Sequence, residues 1–118
     1  MPIDYSRQIG KKMITKGEVK HCIDIENIRY IQYTGGGLSI IYLNDNSNVC
    51  DIKTLFTFEE EFSGMGFIRI SRNTIINSKY ITKININNNK GILFLGETAL
   101  NVSRRRLKLL KEERKSAD

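Results

Sequence analysis

The sequence predicts a domain dominated by β-strands, mostly antiparallel, with one short internal helix and a short C-terminal helix. Three observations carry that expectation. From about Met13 onward, β-branched and aromatic residues alternate with polar ones at period two, the pattern of half-buried strands. Clusters of Gly and Asn punctuate the chain at short intervals, as successive hairpins require. Only two stretches place apolar residues at helical spacing. A length of 118 residues fits one domain, here residues 13–115. Residues 1–12, polar and weakly patterned, read as a linker remnant or a short lead-in, and 116–118 as a tail.

Taken in order, His21, Ile23 and Ile25 share one strand face while Lys20, Cys22 and Asp24 share the other, and Ile28–Tyr33 continues the extended chain. Gly35-Gly36-Gly37 marks a turn, since glycine alone takes positive φ without steric cost. Leu38–Leu43 is the next strand. Asn44–Asn48 forms a polar turn in which Asx side chains bond the local backbone, and Val49–Ile52 returns as strand. Thr54 or Thr57 caps the internal helix, whose Leu55, Phe58 and Phe62 recur at i, i+3 and i+7 on one face, with Glu59–Glu61 largely outside. Ser63-Gly64-Met65-Gly66 ends it. Phe67–Ser71, Thr74–Asn77 and Tyr80–Ile86 are extended, Asn87–Gly91 is a hairpin turn before Ile92 and Phe94, and Leu100 and Val102 make a last strand after Gly96-Glu97.

The C-terminal helix begins at Arg104. Ser103 is its N-cap, Val102 staples onto Leu107, and Leu107 and Leu110 form the inward stripe. Arg104, Arg105 and Arg106 fill the first turn, where the positive end of the macrodipole disfavours cations by about 0.3–1 kcal/mol each. Stability alone does not select them. A helix start with three guanidiniums around it suits an anion such as phosphate, whereas solvation, or pairing with a distant carboxylate, is the plainer account.

Charge points the same way. The chain carries 19 Lys and Arg against 13 Asp and Glu, a net +6. Residues 67–118 hold 12 of the basic and 4 of the acidic side chains, so the excess lies in the second half, and nucleic acid is the first partner class to consider. No apolar run approaches the roughly 20 residues that span a bilayer, and the first residues lack the apolar stretch of a secretory signal, so a cytoplasmic protein without membrane contact is expected. Cys22 and Cys50 then read as free thiols in strands. With a single histidine, His21, there is little for Ser- or Cys-based catalysis to draw on. The run from Asp45 lacks the glycine and closing glutamate of a calcium loop, and Gly35–Gly37 lacks the spacing of nucleotide-binding motifs. No enzyme, cofactor, metal or small-molecule substrate is expected.

Four blocks together resemble the LytTR DNA-binding domain of bacterial response regulators. They are Ile25-Glu26-Asn27-Ile28-Arg29-Tyr30-Ile31, the Thr54-Leu55 helix start, the run from Phe67-Ile68-Arg69 through Arg72-Asn73 to Ile75-Ile76-Asn77, and Leu100-Asn101-Val102-Ser103-Arg104-Arg105-Arg106. Their order covers about residues 19–111. The resemblance implies an elongated antiparallel β-sheet sandwich that places loops, in place of a recognition helix, into successive major grooves of bent DNA. It also implies three contact regions. The first spans Tyr33–Ser39, where glycines replace a side-chain reader and Thr34, Gly37 and Ser39 remain as polar or backbone contacts. The second is Ser71, Arg72 and Asn73, with Arg72 the base reader and Asn73 either touching DNA or holding the turn. In the third, Arg105 matches the base-reading arginine and Arg104 and Arg106 suit phosphates. Arg69 is a structural candidate, and Lys79, Lys83 and Lys108 are backbone partners or solubilising charges.

The expected function is sequence-specific binding of double-stranded DNA with paired repeats, as a bacterial transcription regulator that dimerises on DNA. The alternative is a protein-interaction module that docks a partner through a strand edge or the C-terminal helix. Single-stranded RNA binding is a weaker option that needs exposed aromatics, for which Tyr30, Tyr33, Tyr42 and Tyr80 are the candidates.

Overall fold

The computed structural model describes residues 3–6, 14–15, 18–19 and 21–116. Residues 1–2, 7–13, 16–17, 20 and 117–118, which include Met13, Lys20 and most of the expected lead-in, lie outside them. Short strands β1 (Ile3–Ser6), β2 (Ile14–Thr15), β3 (Glu18–Val19) and β4 (His21–Asp24) precede the body. The body runs β5 (Ile28–Gly35), β6 (Leu38–Leu43), β7 (Asn48–Asp51), α1 (Leu55–Glu61), β8 (Phe67–Arg69), β9 (Thr74–Asn77), β10 (Lys83–Asn87), β11 (Lys90–Leu95), β12 (Thr98–Val102) and α2 (Arg104–Ser116). Two antiparallel sheets dominate, one of order β7-β6-β5-β9-β8 and one of order β10-β11-β12. The molecule is elongated, 55 × 32 × 26 Å.

The five-stranded sheet is buried on both faces, so its central strands carry consecutive apolar residues as well as alternating ones. In β9, Ile75 joins the core under α1 and its neighbour Ile76 the core under the second sheet. Ile31 and Tyr30 divide between the same two cores. The first core adds Leu55, Phe58 and Phe62 of the α1 stripe; the second adds Leu93, Leu95, Leu100 and Val102 with Leu107 and Leu110 of α2. Arg29 ties the two sheets together, donating to the Leu95 carbonyl and Thr98 Oγ1, both at 2.9 Å.

Three local expectations are corrected. The strand through Ile25 is broken by a 3-10 turn at Ile25–Asn27, because the Asp24 carboxylate accepts the Glu26 N–H and caps it. The turn expected at Asn87–Gly91 contracts to Asn88 and Asn89, whose φ values of 50° and 65° suit a two-residue hairpin loop, and Gly91 becomes part of β11. There a Cβ would sit 2.6 Å from Leu107 Cδ1, so the missing side chain is what lets α2 lie on β11. Thirdly, the start of the chain is not wholly unpatterned: β1 pairs parallel with β4, and Tyr5 packs edge-on to Phe58 and Phe62. The α1 cap is Thr54, whose hydroxyl accepts the Thr57 N–H. Cys22 and Cys50, in β4 and β7, are free thiols.

Candidate nucleic-acid interface

Three loops meet at one end of the five-stranded sheet. Gly36 and Gly37, φ 62° and 79°, turn the chain from β5 into β6. The Tyr33 N–H donates to the Asn73 carbonyl at 2.8 Å, which sets the Ser71–Asn73 turn against that hairpin. The Ser103 N–H donates to the Ile70 carbonyl, also at 2.8 Å, and so fixes the start of α2 beside the same turn. In the second sheet Gly91 pairs with Val102, which brings the Asn88-Asn89 loop to this end as well.

The Ser71–Asn73 turn is held from within. Arg69, half-buried in β8, donates Nε to the Ser71 carbonyl at 3.0 Å and Nη2 to the Arg72 carbonyl at 2.7 Å, while Nη1 meets the Glu59 carboxylate on α1. Its structural assignment holds. Ser71 Oγ accepts the Asn73 N–H at 3.2 Å, so the side chain that braces the turn is that of Ser71. Arg72 and Asn73 are exposed. With its backbone clamped, Arg72 presents a guanidinium whose base is fixed and whose reach is outward.

At the start of α2, Ser103 Oγ accepts the Arg106 N–H at 3.3 Å and its carbonyl accepts the Leu107 N–H at 2.8 Å, the expected cap. Arg104, Arg105 and Lys108 are exposed; Arg106 is half-buried and lines a cleft of about 230 Å³ with Glu59, Arg69 and Leu110. Two arginines therefore face outward from the first turn and the third faces α1.

Several expected contacts are relocated. Ser39 is fully buried and donates its hydroxyl to the Lys53 carbonyl at 2.6 Å, so its side chain is not on the surface; it shares the inward period of Ile41. The Gly37 N–H donates to Tyr33 Oη at 2.7 Å, which removes the donor a backbone contact would use. Thr34 is exposed, with its hydroxyl donated across the turn to the Leu38 carbonyl. Lys79 follows β9 and therefore lies at the opposite end of the sheet from Asn73, near Tyr80 and away from the three loops. Lys83 begins β10, the end remote from the Asn88-Asn89 loop. Tyr30 is buried, and the half-buried Tyr33, Tyr42 and Tyr80 are tied into the fold by stacking or through their hydroxyls. Tyr30 stacks on Tyr42 at 4.3 Å between centroids, and Tyr80 donates to the Glu26 carbonyl, so none of the four rings is fully exposed as an RNA-stacking platform requires.

The LytTr DNA-binding domain family matches residues 18–115. The chain belongs to that family. A LytTR domain is a DNA-binding domain, so DNA is the partner class, in keeping with the charge of the second half. The fold is also similar to that of the LytTr DNA-binding domain of a methyl-accepting/DNA response regulator from Bacillus cereus, with a TM-score of 0.70 at 16% identity over 87% of this chain and 96% of that one. No curated protein matches the sequence. Among the described residues of this LytTR domain no helix is long and apolar enough to cross a membrane.

Two features of the interface were beyond sequence reasoning. Phe56, 64% exposed, shares a cleft with Arg72, and Tyr33 braces the glycine loop through its hydroxyl. An aromatic on the outward side of α1 was the available signal for the first; the second depends on a turn geometry that residue type alone does not specify.

Proposed function

We propose that this LytTR domain regulates transcription by binding paired repeats in double-stranded DNA, as a dimer on DNA, with loops reading the major groove. Arg72 and Arg105 read base edges, for which a guanidinium bridging guanine O6 and N7 supplies about 1–3 kcal/mol of discrimination. Arg104 and Lys108 bind phosphates. Asn73, exposed beside Arg72, is a further polar contact at the base edge. Ser71 acts through the turn it braces. Thr34 reaches the duplex only through the surface of its loop, and Arg106 serves the α1–α2 contact before it serves DNA.

The observation that carries this reading is the bond from the Ser103 N–H to the Ile70 carbonyl. It fixes the arginine-bearing helix start against the arginine-bearing turn, so two cationic readers share one end of a rigid sheet. A band-shift titration tests it on duplex selected from a random pool. Affinity should fall steeply with salt, because bound phosphates release counterions, and Arg105→Ala should lose the preference for the selected site. Binding that is absent at low salt, or equal on any sequence, overturns the reading. Charge reversal at Arg104 and Arg105 separates it from partner docking through an apolar surface, which such a change leaves intact.

A further inference from the structure

Beside the Arg72 turn lies apolar surface that the fold leaves uncovered. Ile52, two residues before the α1 cap, is 84% exposed and Phe56 is 64% exposed, whereas Leu55 and Phe58 on the other side of the helix are buried. An amphipathic helix places polar residues at such a position. Phe56 instead lines a cleft of about 370 Å³ with Tyr33, Thr54, Arg69, Arg72 and Asn73. Two of the three α1 carboxylates and Asp51 of β7 are paired from within, and the third, Glu60, is exposed but does not line the cleft. Glu59 is paired with Arg69, Glu61 with Lys53, and Asp51 accepts from Tyr5 beside Lys53. The charged residues that line it are Arg69, which is paired, and the exposed Arg72, so Arg72 sets the sign of the cleft, and its occupant is anionic with an apolar feature. On a duplex the apolar feature of the major groove is the thymine 5-methyl group.

Resting on the DNA-binding reading above, we propose that Phe56 packs against thymine methyl groups next to the guanine that Arg72 reads. The cleft would then recognise a guanine and an adjoining thymine as one unit, by charge-assisted hydrogen bonds on one base and apolar contact on the other. Such a division suits the site: the clamped turn fixes the position of Arg72, and Phe56 projects from a helix whose other side is packed in the core.

The test is to select the preferred duplex from a random pool with the wild-type domain, then replace its thymines one at a time by deoxyuridine, which removes only the methyl. Wild-type affinity should fall about fourfold at one or two thymines adjoining the guanine whose substitution Arg72→Ala tolerates, the effect of one buried CH₂-sized group. Phe56→Ala should bind the thymine duplex more weakly and show no further loss with deoxyuridine, and Phe56→Leu should retain part of the discrimination. Circular-dichroism melting that matches wild type confirms that the exposed substitution leaves the fold intact. If the wild-type domain prefers its site but binds the deoxyuridine duplexes equally well, the methyl contact is wrong while DNA recognition stands, and the apolar surface is left to a protein partner. If Phe56→Ala weakens thymine and deoxyuridine duplexes alike, Phe56 touches sugar or a stacked base and the proposal is overturned. If no duplex is preferred over scrambled sequence, the DNA reading fails first.

Discussion

Gly91→Ala tests how α2, and with it the arginine cluster, is seated. The added Cβ would lie 2.6 Å from Leu107 Cδ1, 3.3 Å from Cδ2 and 3.4 Å from Cγ. The first is a clash and the second tight, and Leu107, 2% exposed, is enclosed by the second core, which leaves it little room to turn away. Overpacking of this kind costs about 1–3 kcal/mol. Gly91 lies in a regular strand without positive φ, so alanine also gains about 0.4–1 kcal/mol by restricting the unfolded chain. The difference leaves a net loss of about 1 kcal/mol at mid-range and up to about 2.6 kcal/mol. Urea unfolding followed by far-UV circular dichroism measures it. DNA affinity should fall along with stability, since α2 must shift to admit the methyl and Arg104 and Arg105 move with it. Leu107→Ala alone should cost about 2–5 kcal/mol, yet in the Gly91→Ala background markedly less, because the methyl enters the space the leucine vacates. A Gly91→Ala domain as stable as wild type, or a double variant whose losses simply add, would refute the seating argument.

Other perturbations probe separate contacts. Arg69→Gln removes the fork that holds the Ser71 and Arg72 carbonyls and the partner of Glu59; a loss of about 1–3 kcal/mol in urea unfolding is expected, with weaker discrimination at the base Arg72 is proposed to read. Ser103→Ala should cost about 1 kcal/mol as a lost N-cap, whereas Ser103→Asp keeps the cap and stability but adds a negative charge where phosphate is proposed to bind, so band-shift affinity should drop with no change in melting. For Tyr5, burial first and then the hydrogen bond to Asp51 push the phenol well above its ordinary value near 10. The folded state therefore holds a proton that the unfolded chain releases, and stability that is intact below pH 10 should decline as pH rises above it. Tyr5→Phe should flatten that alkaline decline; Tyr30, shifted in the same direction by burial, preserves part of it.

Much of the architecture is written locally. Alternation placed the strands of the five-stranded sheet, and the spacing of Leu55, Phe58 and Phe62 identified the buried side of α1. What depends on register was less visible. Ser39 falls in the first contact region that the family resemblance implies, yet its period matches Ile41, and strand parity decides its burial. Lys79 and Arg72 are seven residues apart in sequence yet lie at opposite ends of β9, and only the pairing of β9 with β5 and β8 reveals it. Gly91 looked like turn punctuation because four polar residues precede it; its role is set by a leucine sixteen positions on.

The arginines at the start of α2 are where sequence and structure constrain each other most. Locally they oppose the helix, and a sequence selected for stability alone has no reason to hold three cations at the positive end of a dipole. The fold answers for one of them, since Arg106 turns into the cleft with Glu59. It leaves Arg104 and Arg105 exposed at a helix start anchored to the base of the Arg72 turn. Local rules tend to be broken where function requires it. The unexplained part of the conflict is confined to the two side chains that face outward, and the proposed DNA contact answers it: a phosphate held by Arg104 would supply the negative charge that the isolated helix lacks at its N-terminus, with Arg105 left for a base edge.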